Sequence, residues 1–482
     1  MLSVILALTL VQAKPFDSGL QALAQGKPDQ EIKHPWHGDF KDEYKDPKTK
    51  ALVMRYRMLA PEKQPEEKKL GLIVYFHGMN GDENSLFGFT TGAAKRVGIA
   101  DEYVIMGGKA KAAGWASSDD KDVLLWIDWA MKTYPIDPRR VHIIGGSNGG
   151  AMVKRFGWEN QGLLASISPY CGGGADFSGT PKGQKAAPPQ GPMSPAETKT
   201  EWYYVHGTDD KEVPPDSSRR SIDQLRQKGY RYVYRELTGH DHGSIFRVNE
   251  VSDDNLRFIH ALRHKEVPLT SDQRKEVTSL AGKIKNEKAE GATVIVKEAS
   301  RVGGLPGAKI IGNALDSSDA EIRKLAATTT ESTLYGREMV MELVKLLKDK
   351  AEDVKAEAFK GLATSANWRY EEAQGHLARV ARSKNTPVAE RTLAIEALGK
   401  AVKLQLLGNF EDKLVVWTLV LLLDDDELKV REAAFAQLEK GVKDTFEYKP
   451  DLPTTERKTA VGKWKTWATQ KAGPLEGPAA AR

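Results

Sequence analysis

Between residues 50 and 265, short apolar runs alternate with amphipathic stretches, the pattern of a sheet covered by helices. Residues 51–59 alternate apolar and polar side chains and predict an edge strand. Residues 70–76 form a continuous apolar run, which predicts a strand buried on both faces. Further strands are expected at 103–106, 141–144, 163–168, 202–205 and 230–237. Helices are expected between them at 85–97, 119–133, 149–158, 216–228 and 253–263. In the second of these, Val123, Leu124, Ile127, Trp129 and Met131 make one broad apolar face.

Residues 172–200 break this rhythm. They hold Pro181, Pro188, Pro189, Pro192 and Pro195 among many glycines and predict a long loop, either a cover over a site or a plain insertion. Beyond Val267-Pro268 the strand pattern ends and helix periodicity takes over. Three stretches share the spacing i, i+4, i+8: Ile322, Ala326, Thr330; Val354, Ala358, Leu362; and Val430, Ala434, Leu438. Ala394 and Leu398 fit the same register. The alanines at 326, 358, 394 and 434 step by 32, 36 and 40 residues, which predicts helix-pair repeats of unequal length. Small residues there let neighbouring helices approach closely. The pattern resembles HEAT repeats, with an irregular helical domain as the plainer reading. Residues 473–482 are rich in Pro, Gly and Ala and are expected to be a disordered tail.

At 482 residues the chain exceeds what one core usually serves. The expected organisation is an α/β domain at 14–266 followed by an all-α repeat domain at 267–472. The 71 basic and 66 acidic residues nearly cancel, to a net charge of +5. No concentrated basic stripe is present, so nucleic acid is not an expected partner. The run Glu66-Glu67-Lys68-Lys69 reads as solvated surface, as do His34 and His37. Residues 1–13 are apolar except Ser3, Thr9 and Gln12 and end on Val11-Gln12-Ala13. They predict a signal peptide, although the first lysine is Lys14 and no positive charge precedes the apolar run. The expected location is therefore periplasmic or extracellular. No segment is apolar for long enough to predict an integral membrane helix. The single cysteine, Cys171, excludes an internal disulfide and reads as a buried, inert thiol.

The sharpest chemical signal is Gly145-Gly146-Ser147-Asn148-Gly149-Gly150, directly after a short apolar strand and before a helical stretch. A G-x-S-x-G in that context places Ser147 on a strained turn that exposes its hydroxyl. A serine needs a base to take its proton, and the base needs an orienting carboxylate. Both follow later strands: His206-Gly207-Thr208-Asp209-Asp210, then Gly239-His240-Asp241-His242-Gly243. The residues alone leave Asp209 or Asp210, and His240 or His242. A metal at the H-x-H pair lacks further expected ligands.

Residues 70–265 resemble secreted α/β-hydrolases of the polyhydroxybutyrate-depolymerase and feruloyl-esterase type. The resemblance is carried by His77-Gly78, Trp115 with Asp119-Asp120, Asp137-Pro138-Arg139-Arg140-Val141, Ser147-Asn148-Gly149-Gly150, and His206-Gly207-Thr208 with Val213-Pro214. It implies a catalytic triad of Ser147, Asp210 and His242. It also implies an oxyanion hole from the backbone of Asn148 and of Met79, with Asn80 as the rival of Met79. Trp115 is expected either to contact substrate or to belong to the core. Neither a cofactor nor a metal is implied. The expected activity is hydrolysis of carboxylic esters, with acetyl or feruloyl esters of polysaccharide as the substrate class. A serine peptidase resembling prolyl oligopeptidase is the alternative enzyme. A binding module, whose helical repeats recruit a protein partner, is the alternative outside catalysis.

Overall fold

A computed structural model describes residues 37–63, 70–173, 200–263, 269, 271–284, 287–332, 337–368, 370–403, 413–440, 442 and 444–475. The expected signal peptide, the 66–69 charge run, His34, nearly all of the 172–200 loop and most of the 473–482 tail lie outside the described residues.

Eight strands form one sheet: β1 (Gly38–Lys45), β2 (Leu52–Ala60), β3 (Leu70–Phe76), β4 (Tyr103–Gly108), β5 (Ile136–Gly146), β6 (Ser166–Tyr170), β7 (Glu201–Gly207) and β8 (Tyr232–Leu237). Their order is β1-β2-β4-β3-β5-β6-β7-β8. β2 runs antiparallel to both neighbours, and β3 through β8 are all parallel. That order, with its antiparallel second strand, is the α/β-hydrolase fold. β3, β5 and β7 are buried along their whole length, as parallel strands covered on both faces must be.

The strand at 51–59 is not the edge. β1 pairs outside it, from Gly38 opposite Ala60 to Tyr44 opposite Met54. Its sequence, GDFKDEYK, is too polar to announce a strand. Phe40 and Tyr44 are its inward anchors: Phe40 meets Tyr56 edge-on and Tyr44 stacks on Trp129, with ring centroids 6.3 and 5.2 Å apart.

Helices α1 (Phe87–Val97), α2 (Asp120–Thr133), α3 (Asn148–Glu159), α4 (Asp216–Gln227) and α5 (Asn249–Ala261) accompany the sheet. From residue 271 the described chain is entirely helical: α6 (Ser271–Lys283), α7 (Ala289–Val302), α8 (Gly304–Leu315), α9 (Ala320–Ser332), α10 (Arg337–Leu346), α11 (Glu352–Asn367), α12 (Glu371–Arg382), α13 (Val388–Lys403), α14 (Lys413–Leu422), α15 (Leu428–Leu438) and α16 (Thr454–Ala472). They stack in two layers. α7, α9, α11, α13 and α15 pack in succession in one, and α8, α10, α12, α14 and α16 in the other. Ala326, Ala358, Ala394 and Ala434 lie on consecutive helices of the first layer, all fully buried, where a larger side chain would push the helices apart.

Three residues before each of those alanines stands a base: Arg323, Lys355, Arg391 and Arg431. The first three reach the start of the next helix in the layer. Arg323 Nε donates to Asp349 at 2.7 Å, Lys355 Nζ to Glu390 at 2.9 Å, and Arg391 pairs its two terminal nitrogens, Nη1 and Nη2, with Asp425. Arg431 Nε donates to the Pro450 carbonyl at 2.7 Å.

The last helix against the sheet ends at Ala261 and the stack begins at Ser271, yet one apolar cluster spans both. It runs from Ile73, Tyr75 and Tyr203 on one sheet face through Phe258 and Ile311 to Trp464. The other sheet face has its own core around Leu72, Val74, Trp126, Phe156 and Trp202. Polar contacts cross the junction as well. Arg139 Nη2 donates to the Val302 carbonyl at 2.9 Å, and Arg235 Nη2 to Asn367 Oδ1 at 2.9 Å.

Candidate active site

The carboxyl ends of the parallel strands finish level with one another. Phe76 is opposite Gly145, Gly146 opposite Tyr170, Tyr170 opposite Val205 and Gly207 opposite Leu237. The turns that follow β3, β5, β7 and β8 therefore converge at one end of the sheet, where open α/β sheets place their ligands.

Ser147 sits at φ 55°, ψ −118° between β5 and α3, a conformation that costs a residue with a side chain about 1–3 kcal/mol. The surroundings hold it there. Its amide donates to the Tyr170 carbonyl and its carbonyl accepts from Ala151, both at 2.9 Å. The flanking glycines are demanded by contact: a Cβ on Gly145 would lie 2.1 Å from the Gly149 carbonyl oxygen, and one on Gly149 would lie 2.0 Å from that of Phe76. Ser147 also precedes the first turn of α3, whose free amides favour negative charge.

Of the rival acids and bases, Asp210 and His242 meet. His242 Nδ1 lies 2.7 Å from Asp210 Oδ2. The Asp210 side chain is fully buried, and its Oδ1 accepts the amides of Glu212 at 3.0 Å and Val213 at 2.8 Å. Those bonds leave the second oxygen aimed at the ring. His206 Nε2 lies 3.2 Å from the same Oδ2. Burial lowers the His206 pKa, which disfavours the cationic form of this neighbour. Asp209 turns away and accepts from Thr208 Oγ1. His240 contributes its backbone, accepting the Asp209 amide at 3.0 Å. Asp241 accepts the amides of Gly243 and Ser244 and so shapes the turn that presents His242. Among the described residues no hydrogen bond joins Ser147 Oγ to His242. Ring Nε2 faces the exposed Glu212 carboxylate at 3.8 Å.

The turn after β3 lies against Ser147: a Cβ on Gly78 would be 3.2 Å from that of Ser147. The buried His77 braces this turn. Its Nδ1 contacts the Gly78 carbonyl at 2.6 Å and its Nε2 accepts the Ala110 amide at 3.1 Å. Burial lowers its pKa, which keeps one nitrogen free to accept. Asn80, at φ 59°, donates its amide to the Ala113 carbonyl at 2.6 Å. That donor is spent, whereas the Met79 amide has no hydrogen-bond partner among the described residues. Asn148 Oδ1 accepts the Trp115 amide at 2.6 Å, tying the start of α3 to the 109–116 segment.

Trp115 itself is 6% exposed and packs against Phe76 and His77 with ring centroids 5.0 and 5.1 Å away. Asp119 accepts the Ala116 amide at 2.8 Å, and Asp120 pairs with Arg155 of α3. Both acids therefore brace the segment that carries Trp115.

Two groups at the site escape the sequence. Leu86, Phe89 and Phe246 are partly buried near the Ser147 turn. A Cβ on Gly146 would touch Leu86 and Phe246 at 2.7 and 2.8 Å, and Phe246 stacks on Tyr170 at 5.7 Å. The only signal was the aromatic in Ser244-Ile245-Phe246, closely following His242. The second is the neighbourhood of Cys171, whose thiol is buried as expected, with burial raising its pKa. The thiol forms a cluster with Asp210 and His242 that the H-x-H spacing does not suggest.

No protein-family model and no curated protein matches this chain. Solved structures similar to it include a thermostable esterase (22% identity, 47% of this chain and 63% of that one, TM-score 0.37). A ferulic acid esterase from Anaeromyces mucronatus, solved with ferulic acid, is 16% identical over 48% of this chain and 93% of its own, with a TM-score of 0.35. A puromycin-hydrolyzing peptidase of Mycobacterium tuberculosis is 19% identical over 46% of this chain and 38% of its own, also with a TM-score of 0.35.

Proposed function

We propose that the chain is a serine hydrolase that cleaves carboxylic esters through an acyl-enzyme. The observation that carries this reading is the 2.7 Å contact between Asp210 and His242, at the same strand ends as the strained Ser147 turn. Ser147 Oγ attacks the carbonyl carbon while His242 Nε2 takes its proton. For this the ring and hydroxyl close up on substrate binding, as such pairs commonly do. Asp210 fixes the Nδ1–H tautomer and steadies the imidazolium. The amides of Met79 and Asn148 receive the oxyanion, each such donor contributing about 10²–10³ in turnover. His242 returns the proton to the departing alcohol. Water then attacks the acyl-enzyme, with His242 again as base, and releases the acid.

The apolar wall of Leu86, Phe89 and Phe246 supports an apolar or aromatic acyl group. With the feruloyl-esterase resemblance, it favours feruloyl over acetyl esters of polysaccharide. Trp115 packs on Phe76 and His77 in the core behind the site and holds Asn148 through its amide. We assign 14–266 to catalysis and 267–472 to HEAT-like repeats that dock a protein partner. The apolar run at 1–13 supports export.

The test is hydrolysis of a short-chain aryl ester, methyl ferulate and a dipeptide amide by the full chain and by Ser147→Ala. Ester cleavage that falls at least about 10³-fold in the variant, with little amide cleavage, is the expected outcome. Ester cleavage that survives the substitution contradicts the reading, and preferential amide cleavage makes the chain a peptidase.

A further inference from the structure

Cys171, Asp210 and His242 each present one ligand atom within 4.8 Å of the other two. Thiolate, carboxylate and imidazole form a donor set suited to zinc and related soft ions, and three protein ligands leave a fourth position for water. The three groups are held in place beforehand. Asp210 is pinned by two backbone amides and touches His242 Nδ1. The Cys171 amide donates to the Val205 carbonyl at 2.8 Å, and its Sγ lies 3.9 Å from the His242 carbonyl oxygen. The cysteine is the only one in the chain, so no internal disulfide removes it. The His242 side chain retains 15% of its exposure, giving an ion a way in past the exposed Glu212 carboxylate, whose charge favours cations at the mouth.

We infer that this cluster is an inhibitory site for a thiophilic divalent metal ion of the zinc type. The ion bonds to Cys171 Sγ, one Asp210 oxygen and His242 Nδ1. The thiol proton leaves to solvent. The proton on Nδ1 transfers to Nε2, so the ring stays neutral. Thiolate and carboxylate balance the two charges of the ion. A ring protonated at Nε2 cannot accept the Ser147 proton, so the ion removes the base from the reaction. Magnesium and calcium, which prefer oxygen ligands in larger numbers, do not act here. The effect on activity rests on the ester-hydrolase reading; binding rests on the ligand geometry alone.

The experiment titrates cobalt(II), as a spectroscopic stand-in for zinc, into the full chain free of any polyhistidine tag. Thiolate-to-cobalt charge-transfer absorption saturating at one ion per chain is expected, and its absence overturns the proposal. In parallel, zinc inhibits aryl-ester hydrolysis in the native chain and at least about tenfold less potently in Cys171→Ser, while magnesium inhibits neither. Zinc inhibition that is equal in both proteins also overturns it. If Cys171→Ser does not fold, Asp210→Asn must weaken the cobalt band, and a band of unchanged strength sinks the site. A cobalt band in a chain without ester hydrolysis upholds the site and overturns the ester reading instead.

Discussion

Ser147 and its glycines were legible because backbone geometry demands them. Only glycine leaves room at 145 and 149, where an added Cβ would collide with a carbonyl oxygen, and the motif records that demand directly. From the residues alone the expected acid and base were legible only as pairs of rivals, and the family resemblance chose Asp210 and His242. What separates Asp210 from Asp209 is a pair of backbone amides, and what separates His242 from His240 is the turn shaped by Asp241. Neither is a property of residue type. Asp210→Asn is therefore expected to lower ester turnover by about 10⁴-fold through loss of the tautomer it fixes. Asp209→Asn, on the outward side, should leave turnover near that of the native chain. Parallel steady-state assays of the two variants check this. Equal losses would mean that the carboxylate contact does not organise the base.

At the scale of elements, periodicity identified strands that bury both faces and missed one that buries almost nothing. β1 joins the sheet through Phe40 and Tyr44 on a polar strand, and two aromatics spaced four apart do not distinguish a strand from a surface helix. In the helical stack the alanine register gave the layer contact, and the same register shifted by three residues holds the basic ladder. Arg391 is the most enclosed rung: its side chain is 3% exposed and that of its partner Asp425 is 7% exposed. Removing one member of a buried pair strands the other charge. Arg391→Ala should therefore destabilise the chain by about 3–5 kcal/mol, read as a lower urea midpoint. A shift below about 1 kcal/mol would mean that the pair behaves as a surface contact.

For the whole molecule, the stack supports the elements that carry His242. Arg235 of β8 and Asp254 of α5 flank the His242 turn and pair at 2.8 Å. Asn367 and Trp368 at the end of α11 donate to Asp254 Oδ1 at 2.9 and 3.0 Å. All of these contacts are buried. A sequence cannot show this, since the partners lie more than a hundred residues apart and none belongs to a motif. Asn367→Ala should lower kcat for ester hydrolysis more than it raises KM, because it loosens the mounting of the base and not the acyl wall. A change in KM alone would assign Asn367 no part in positioning.

The junction between sheet and stack also sets an acid limit. His142 and His260 are buried among Arg140 and Arg263, with Asp137, Glu102 and Arg139 close by. Burial, followed by the Arg140 charge, depresses both pKa values well below the ordinary imidazole value. The unfolded chain protonates these rings near pH 6.5, so it binds the extra protons. Their contribution to stability is fully present above about pH 6.5 and is lost as pH falls below it. Urea midpoints from pH 7.5 to 5 should fall in the native chain and fall less in His142→Gln. Identical pH dependence in the two would remove His142 as a source.

The proposed reaction passes through an acyl group carried by Ser147. Mass spectrometry of the full chain quenched during turnover of an aryl acetate tests it most directly. An acetyl adduct on the peptide containing Ser147, absent from His242→Ala, is the expected result. An adduct on another residue, or ester turnover by native chain with no adduct while Ser147→Ala stays active, would contradict it.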